Sequence, residues 1–167
     1  MLRSTCLCLL TRDSGGDRGR EVLLGHKKTG LGLGKIVGLG GHVEPGESPA
    51  EAAVREVKEE SGIHVPPSAL TELAHVTFRF PARPSWDMDA VVFASTAWSG
   101  EPGETEEIRP QWFPVGALPF DRMWQDARHW LPRVLAGQRL AAAFTYAPDC
   151  ETVADAAITG LPPSRAE

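Results

Sequence analysis

Gly41-His42-Val43-Glu44-Pro45-Gly46-Glu47-Ser48-Pro49-Ala50-Glu51-Ala52-Ala53-Val54-Arg55-Glu56-Val57-Lys58-Glu59-Glu60-Ser61-Gly62-Ile63 is the stretch on which the fold turns. Ser48-Pro49-Ala50-Glu51 combines an N-cap serine, a first-turn proline and a capping-box glutamate, and Gly62 supplies a stop. The spacing predicts a helix of about three and a half turns whose apolar side is Ala50, Ala53, Val54 and Val57. Glu56, Glu59 and Glu60 then stand at i, i+3 and i+4, roughly 5–6 Å apart at Cβ. Like charges at this spacing repel, and the C-terminal end of a helix dipole disfavours them further. Two readings follow: a solvated face with a Glu51-Arg55-Glu59 ladder, or a cluster that binds a cation. The glycine-rich approach, the well-capped start and Glu47 just ahead of the helix favour the cation.

Carboxylate oxygens suit Mg²⁺, with Mn²⁺ as the other candidate, and no His/Cys cluster favours zinc. A net charge of −5 and a pI near 5.6 exclude a basic clamp on a nucleic-acid polymer. They leave room for a phosphorylated small molecule, because a bound cation reverses the local field. Two other phosphate motifs fail: Gly34-Lys35 is followed by Ile36 where a P-loop needs Ser or Thr, and no Gly-x-Gly-x-x-Gly follows a strand.

The quoted run resembles a complete Nudix box, Gly-x5-Glu-x7-Arg-Glu-U-x-Glu-Glu-x-Gly-U with U aliphatic. All nine specified positions over twenty-three residues are filled. The resemblance implies an α/β fold, the Nudix α/β/α sandwich with a central mixed β-sheet. It further implies water attack on a phosphoanhydride bond. It carries over Glu56, Glu59 and Glu60 as metal ligands, with the Gly40 carbonyl as a further ligand. Arg55 becomes the residue that orients carboxylates, Glu47 among them. Glu56 and Glu59 are joint candidates for the general base.

Working outward, Thr5 to Leu10 and Val22 to Leu24 read as a hairpin around the turn Arg12 to Arg20. Six glycines in the twelve positions from Gly30 to Gly41 read as a loop that approaches something closely or takes positive φ. Leu73 to Phe80, Met88 to Ala97, Gln111 to Pro114 and Arg139 to Tyr146 have strand composition. A second helix is predicted over Asp126 to Ala136, with Trp130, Val134 and Leu135 facing inward and Gly137 as its stop. Pro132 is expected to confine it to its first turns or kink it. At 167 residues the chain suits one domain over residues 1–160, with 161–167 a flexible tail. Three cysteines leave one unpaired in any disulfide scheme, which suits a reducing compartment, the cytoplasm. No run is long enough to span a bilayer, so no membrane partner is expected, and a monomer is.

Within the family, the resemblance is closest to MutT-type enzymes of animals that act on oxidised purine nucleoside triphosphates. It is carried by Val22-Leu23-Leu24-Gly25-His26-Lys27-Lys28, Glu107-Ile108-Arg109-Pro110-Gln111-Trp112-Phe113 and Pro119-Phe120-Asp121-Arg122-Met123-Trp124-Gln125-Asp126. It implies cleavage of the triphosphate to nucleoside monophosphate and pyrophosphate. By that likeness Glu107 adds a loop carboxylate to the metal site and Lys27 meets the triphosphate. Leu39, Gly41, His42, Phe78, Trp124 and Asp126 contact the substrate, while Phe80, Met88 and Trp130 join the base pocket or the core. Trp124 offers a stacking face and Asp126 an acceptor for donors on the base edge. Two positions depart from the family pattern: Val37 stands where it has an asparagine, and Ala127 where it has a second aspartate. That loss of hydrogen-bonding groups predicts weakened or redirected oxidised-purine selectivity. The alternatives are a different nucleoside diphosphate derivative (nucleotide sugar, dinucleoside polyphosphate, ADP-ribose) or a binding module without turnover. The latter is opposed by the intact glutamates.

Overall fold

The computed structural model describes residues 2–163. Eight strands join one mixed sheet: β1 (Arg3–Asp13), β2 (Arg20–Lys27), β3 (Ile36–His42), β4 (Thr71–Arg79), β5 (Met88–Ser95), β6 (Ile108–Pro114), β7 (Leu140–Tyr146) and β8 (Val153–Gly160). Their order is β6-β2-β3-β1-β5-β4-β7-β8. β1 lies parallel to β5 and antiparallel to β3, and β4 lies parallel to β7. Helix α1 (Pro49–Ser61) covers one face and α2 (Ala127–Leu135) packs on the other. This is the α/β/α sandwich predicted. Among the described residues no helix is long and apolar enough to cross a membrane.

Period-two alternation in β1 explains the two cores. Cys6, Cys8 and Leu10 point to the α1 side, where they meet Leu23, Leu39, Ala53, Val57, Ile63 and Ile108. Leu7 and Leu9 point to the other side, with Leu24, Val76, Val92, Trp130, Leu131 and Phe144. The three cysteines are free and buried, and burial pushes the Cys6 thiol up to about 11 and Cys8 to about 12.

α1 starts as the sequence predicts. Ser48 Oγ accepts from Glu51 N–H at 3.1 Å, and the Glu51 carboxylate accepts from Ser48 N–H at 2.8 Å. A cap of this kind stabilises a helix by about 1 kcal/mol. Its C-cap Gly62 takes φ 80°, where a side chain would be strained. The buried stripe is rotated from the one expected, being Ala52, Ala53, Val57, Glu60 and Ser61, with Ala50 and Val54 only half-buried.

Several expectations are corrected. The glycine-rich run divides: Gly30, Gly32 and Gly34 take positive φ in the β2–β3 turn, whereas residues from Ile36 onward are strand β3. α2 runs past Pro132 to Leu135, since the proline removes only its own N–H and the buried residues Trp130, Leu131, Val134 and Leu135 hold the helix down. β8 escaped the sequence reading, for its mostly exposed, alanine-rich edge carries little apolar alternation. The tail expected over 161–167 falls in part outside the described residues. Its first two residues are held, Leu161 N–H donating to Arg139 O at 2.8 Å and Arg139 Nη1 to Pro162 O at 2.8 Å.

Candidate active site

Arg55 organises the carboxylates. Its Nε and Nη2 make a two-pronged pair with Glu47 at 2.8 and 2.9 Å, and Nη2 also donates to the His42 carbonyl at 2.9 Å. Nη1 reaches Glu56 Oε1 at 2.9 Å and Glu59 Oε2 at 3.3 Å. One guanidinium therefore ties the loop before α1 to two successive turns of the helix, using the fork geometry that lysine lacks. The Arg55 hydrogen bonds hold the Glu47 carboxyl down at about 2, and those to Glu47 push the Arg55 guanidinium well above its ordinary range.

Glu60 is different. It is 2% exposed, and Oε1 accepts from the Gly40 N–H at 2.8 Å. Burial raises its pKa to about 8; the Gly40 N–H and Lys27 pull it down, while Glu56 and Glu107 push it up. Burial likewise raises Glu56, against the opposing pull of Arg55. Glu107 is exposed on the loop before β6, and its charge bears weakly on both Glu56 and Glu60.

Two glycines of β3 let the strand come this close. A Cβ on Gly40 would lie 1.9 Å from the Cys6 carbonyl oxygen, and one on Gly41 would lie 2.5 Å from the Glu56 carboxyl carbon. At Gly40 the obstacle is backbone and no side chain fits, whereas at Gly41 a side chain would have to displace the Glu56 carboxylate.

Among the described residues, no three His, Cys, Asp or Glu side chains already converge as metal ligands. The donors nonetheless suit a divalent cation. Glu56, Glu59, Glu60 and Glu107 carry hard oxygen donors of the kind such a cation takes, and a buried carboxylate such as Glu60 needs a positive partner to ionise at neutral pH. A cation would also offset the repulsion among them.

A cavity of about 380 Å³ opens beside this cluster. Gly40, Gly41, His42 and Glu60 from the box side line it together with Lys27 and with Phe78, Phe80, Met88, Trp124, Asp126 and Trp130, and Lys27 and Trp124 both pass close to Gly32. Volume and lining suit a nucleotide-sized ligand, with apolar walls and a few polar groups. The Leu39 side chain is fully buried on the α1 side, between Gly38 and Gly40, which line the cavity. Val37 and Ala127, the two departures, both border the cavity, Val37 while also packing against the α1-side core.

Asp126 lines the cavity but is already engaged. Its carboxylate accepts from the Tyr146 hydroxyl and, at 2.8 Å, from Trp130 Nε1, and burial raises its pKa. Tyr146 had no sequence signal beyond its strand, because the contact joins residues twenty positions apart. Phe80 stacks on Tyr146 with centroids 4.6 Å apart, and Trp124 meets both rings edge-on. Thr5 and Leu7 also line the cavity, and the alternation of β1 was the signal that could have found them.

A model of the NUDIX domain matches residues 1–134. The chain belongs to the Nudix family. It is 41% identical over 126 residues to the oxidized purine nucleoside triphosphate hydrolase of Danio rerio, covering 75% of this chain and 79% of that protein. It is 39% identical over 127 residues to the protein of the same name from Mus musculus, covering 76% and 80%. Among solved structures, the mutator MutT protein of Bacillus halodurans aligns with a TM-score of 0.75 at 23% identity, over 94% of this chain and 97% of that one. The MutT Nudix hydrolase of Burkholderia pseudomallei aligns at 0.61 with 29% identity, over 71% and 88%. The protein is thus a Nudix hydrolase, of a family that generally uses divalent cations, and α1 with its preceding loop is the Nudix box.

Proposed function

We propose that this Nudix hydrolase cleaves purine nucleoside triphosphates, oxidised ones included, to nucleoside monophosphate and pyrophosphate with Mg²⁺. In this reading it works as a cytoplasmic monomer that clears the nucleotide pool. The observation that carries the reading is the joining, in one cavity, of the buried box carboxylate Glu60 with Trp124 and its aromatic neighbours. The two animal relatives, named for oxidised purine nucleoside triphosphates, support it.

Glu56, Glu59, Glu60, Glu107 and the Gly40 carbonyl would hold the metal. A divalent cation there supplies charge neutralisation of phosphate oxygens and a lowered pKa for bound water. The protein's own residues do the rest. Arg55 keeps Glu56 and Glu59 oriented, so that either can accept the proton of the attacking water, and Lys27 places a positive charge beside the phosphates. Trp124 offers the base a face, and Asp126 an acceptor edge.

Base selectivity follows from Val37 and Ala127. Neither can donate or accept a side-chain hydrogen bond, so the pocket discriminates less between 8-oxo-dGTP and dGTP than one with polar groups there. The test is kcat/KM with 8-oxo-dGTP, 2-hydroxy-dATP, the unmodified dNTPs, ADP-ribose and a dinucleoside polyphosphate, scoring pyrophosphate release. The triphosphates should lead, with oxidised and unmodified purines within roughly tenfold of each other. A preference of several hundredfold for 8-oxo-dGTP would refute the relaxed selectivity, and faster ADP-ribose cleavage the substrate class.

A further inference from the structure

Trp124 is gripped from outside the cavity. Lys35 Nζ sits over its ring, 4.7 Å from the centroid, and makes an ion pair with Glu151 Oε2 at 2.8 Å. Lys35 does not line the cavity, whereas Trp124 and the neighbouring Ile36 do. The ammonium therefore holds one face of the indole without itself lining the cavity.

The pieces on either side are built to hold still. Lys35 ends the β2–β3 turn, its N–H donating to Gly32 O at 2.8 Å and its carbonyl accepting from Lys27 N–H at 2.9 Å. Gly32, with φ +86°, passes so close that a Cβ there would lie 3.2 Å from Trp124 Nε1. Glu151 projects from the β7–β8 turn, where the Asp149 carboxylate accepts from Glu151 N–H, Thr152 N–H and Thr152 Oγ1 at 2.9, 2.8 and 2.6 Å. That hairpin is docked on the Trp124 segment, Val153 N–H donating to Gln125 Oε1 at 2.6 Å.

We propose that Lys35, anchored by Glu151, is a positioning residue that fixes Trp124 as the wall on which the base stacks. This rests on the nucleotide reading above. The cation holds the π face by electrostatic attraction, which restricts the indole before substrate arrives and lowers the cost of ordering it on binding. Glu151 is the lesser partner, since an ion pair with so exposed a carboxylate contributes little alone.

The experiment is a steady-state cycle on the full chain with dGTP and 8-oxo-dGTP. Lys35→Met keeps the aliphatic stem and removes the ammonium; it should raise KM about fivefold with kcat unchanged, and Lys35→Arg should restore it. In a Trp124→Ala background, Lys35→Met should add nothing further, because its effect passes through the indole. Equal KM effects of Lys35→Met with and without Trp124 would mean that Lys35 meets the phosphates directly, and would overturn the proposal. So would an unchanged KM for Lys35→Met when Trp124→Ala alone raises it. An unchanged KM for Trp124→Ala would bring down the stacking reading, and this one with it.

Discussion

The carboxylate cluster and the aromatic cluster beside it are made differently. The carboxylates come from one contiguous stretch, in which α1, its cap and the preceding loop deliver Arg55, Glu47, Glu56, Glu59 and Glu60 together. The aromatic cluster is assembled from residues far apart in sequence, such as Phe80, Trp124 and Tyr146. Chemistry is thus fixed locally by helical spacing, while recognition depends on the tertiary fold. A helix specifies its neighbours at i+3 and i+4 directly, whereas a sheet brings residues together only through register.

The comparison is broken most severely at the box. Glu59→Gln with Glu60→Gln should lower divalent-dependent turnover roughly a thousandfold, with the far-UV circular dichroism of the parent retained. Turnover within tenfold of the parent would show that these carboxylates are not the engine. Gly41→Ala is the subtler break, since its methyl would be driven against the Glu56 carboxyl, 2.5 Å away. A displacement of about 1 Å can cost around a hundredfold in rate. We expect kcat to fall on that scale, with a smaller rise in KM because Gly41 also borders the cavity.

The smallest effect is on stability. Burial raises the Glu60 pKa to about 8 from an ordinary value of 4.5. The folded state therefore holds a proton that the unfolded chain has released between those two pH values. By linkage, the metal-free protein loses stability as pH rises through that window. A divalent cation replaces the proton. Added Mg²⁺ or Mn²⁺ should raise Tm by roughly 2–4 °C at pH 8 and by less at pH 5.5, as read by thermal denaturation. A shift that is larger at pH 5.5 would place the metal elsewhere.

The same contrast sets what the sequence could disclose. Every charged member of the box was legible because it lies on one helix or in the turn ahead of it. The strand β3 was not, since glycines that allow close approach to Cys6 and Glu56 resemble loop glycines when read alone. Nor does the sequence show that strand alternation turns the Leu39 side chain to the α1 core. Asp126 was visible as a candidate, while its engagement by Tyr146 and Trp130 was not. The Lys35–Glu151 pair spans 116 positions and had no local signal at all.

Strand β1 serves both cores, sending Cys6 and Cys8 toward α1 and Leu7 and Leu9 toward the α2 side. A single inserted residue there would exchange the two sets and spoil both halves at once, whereas point changes on one face leave the other alone. Lineages carrying this scaffold are accordingly free to alter what they accept while inheriting how they cut, provided the length of that strand never drifts.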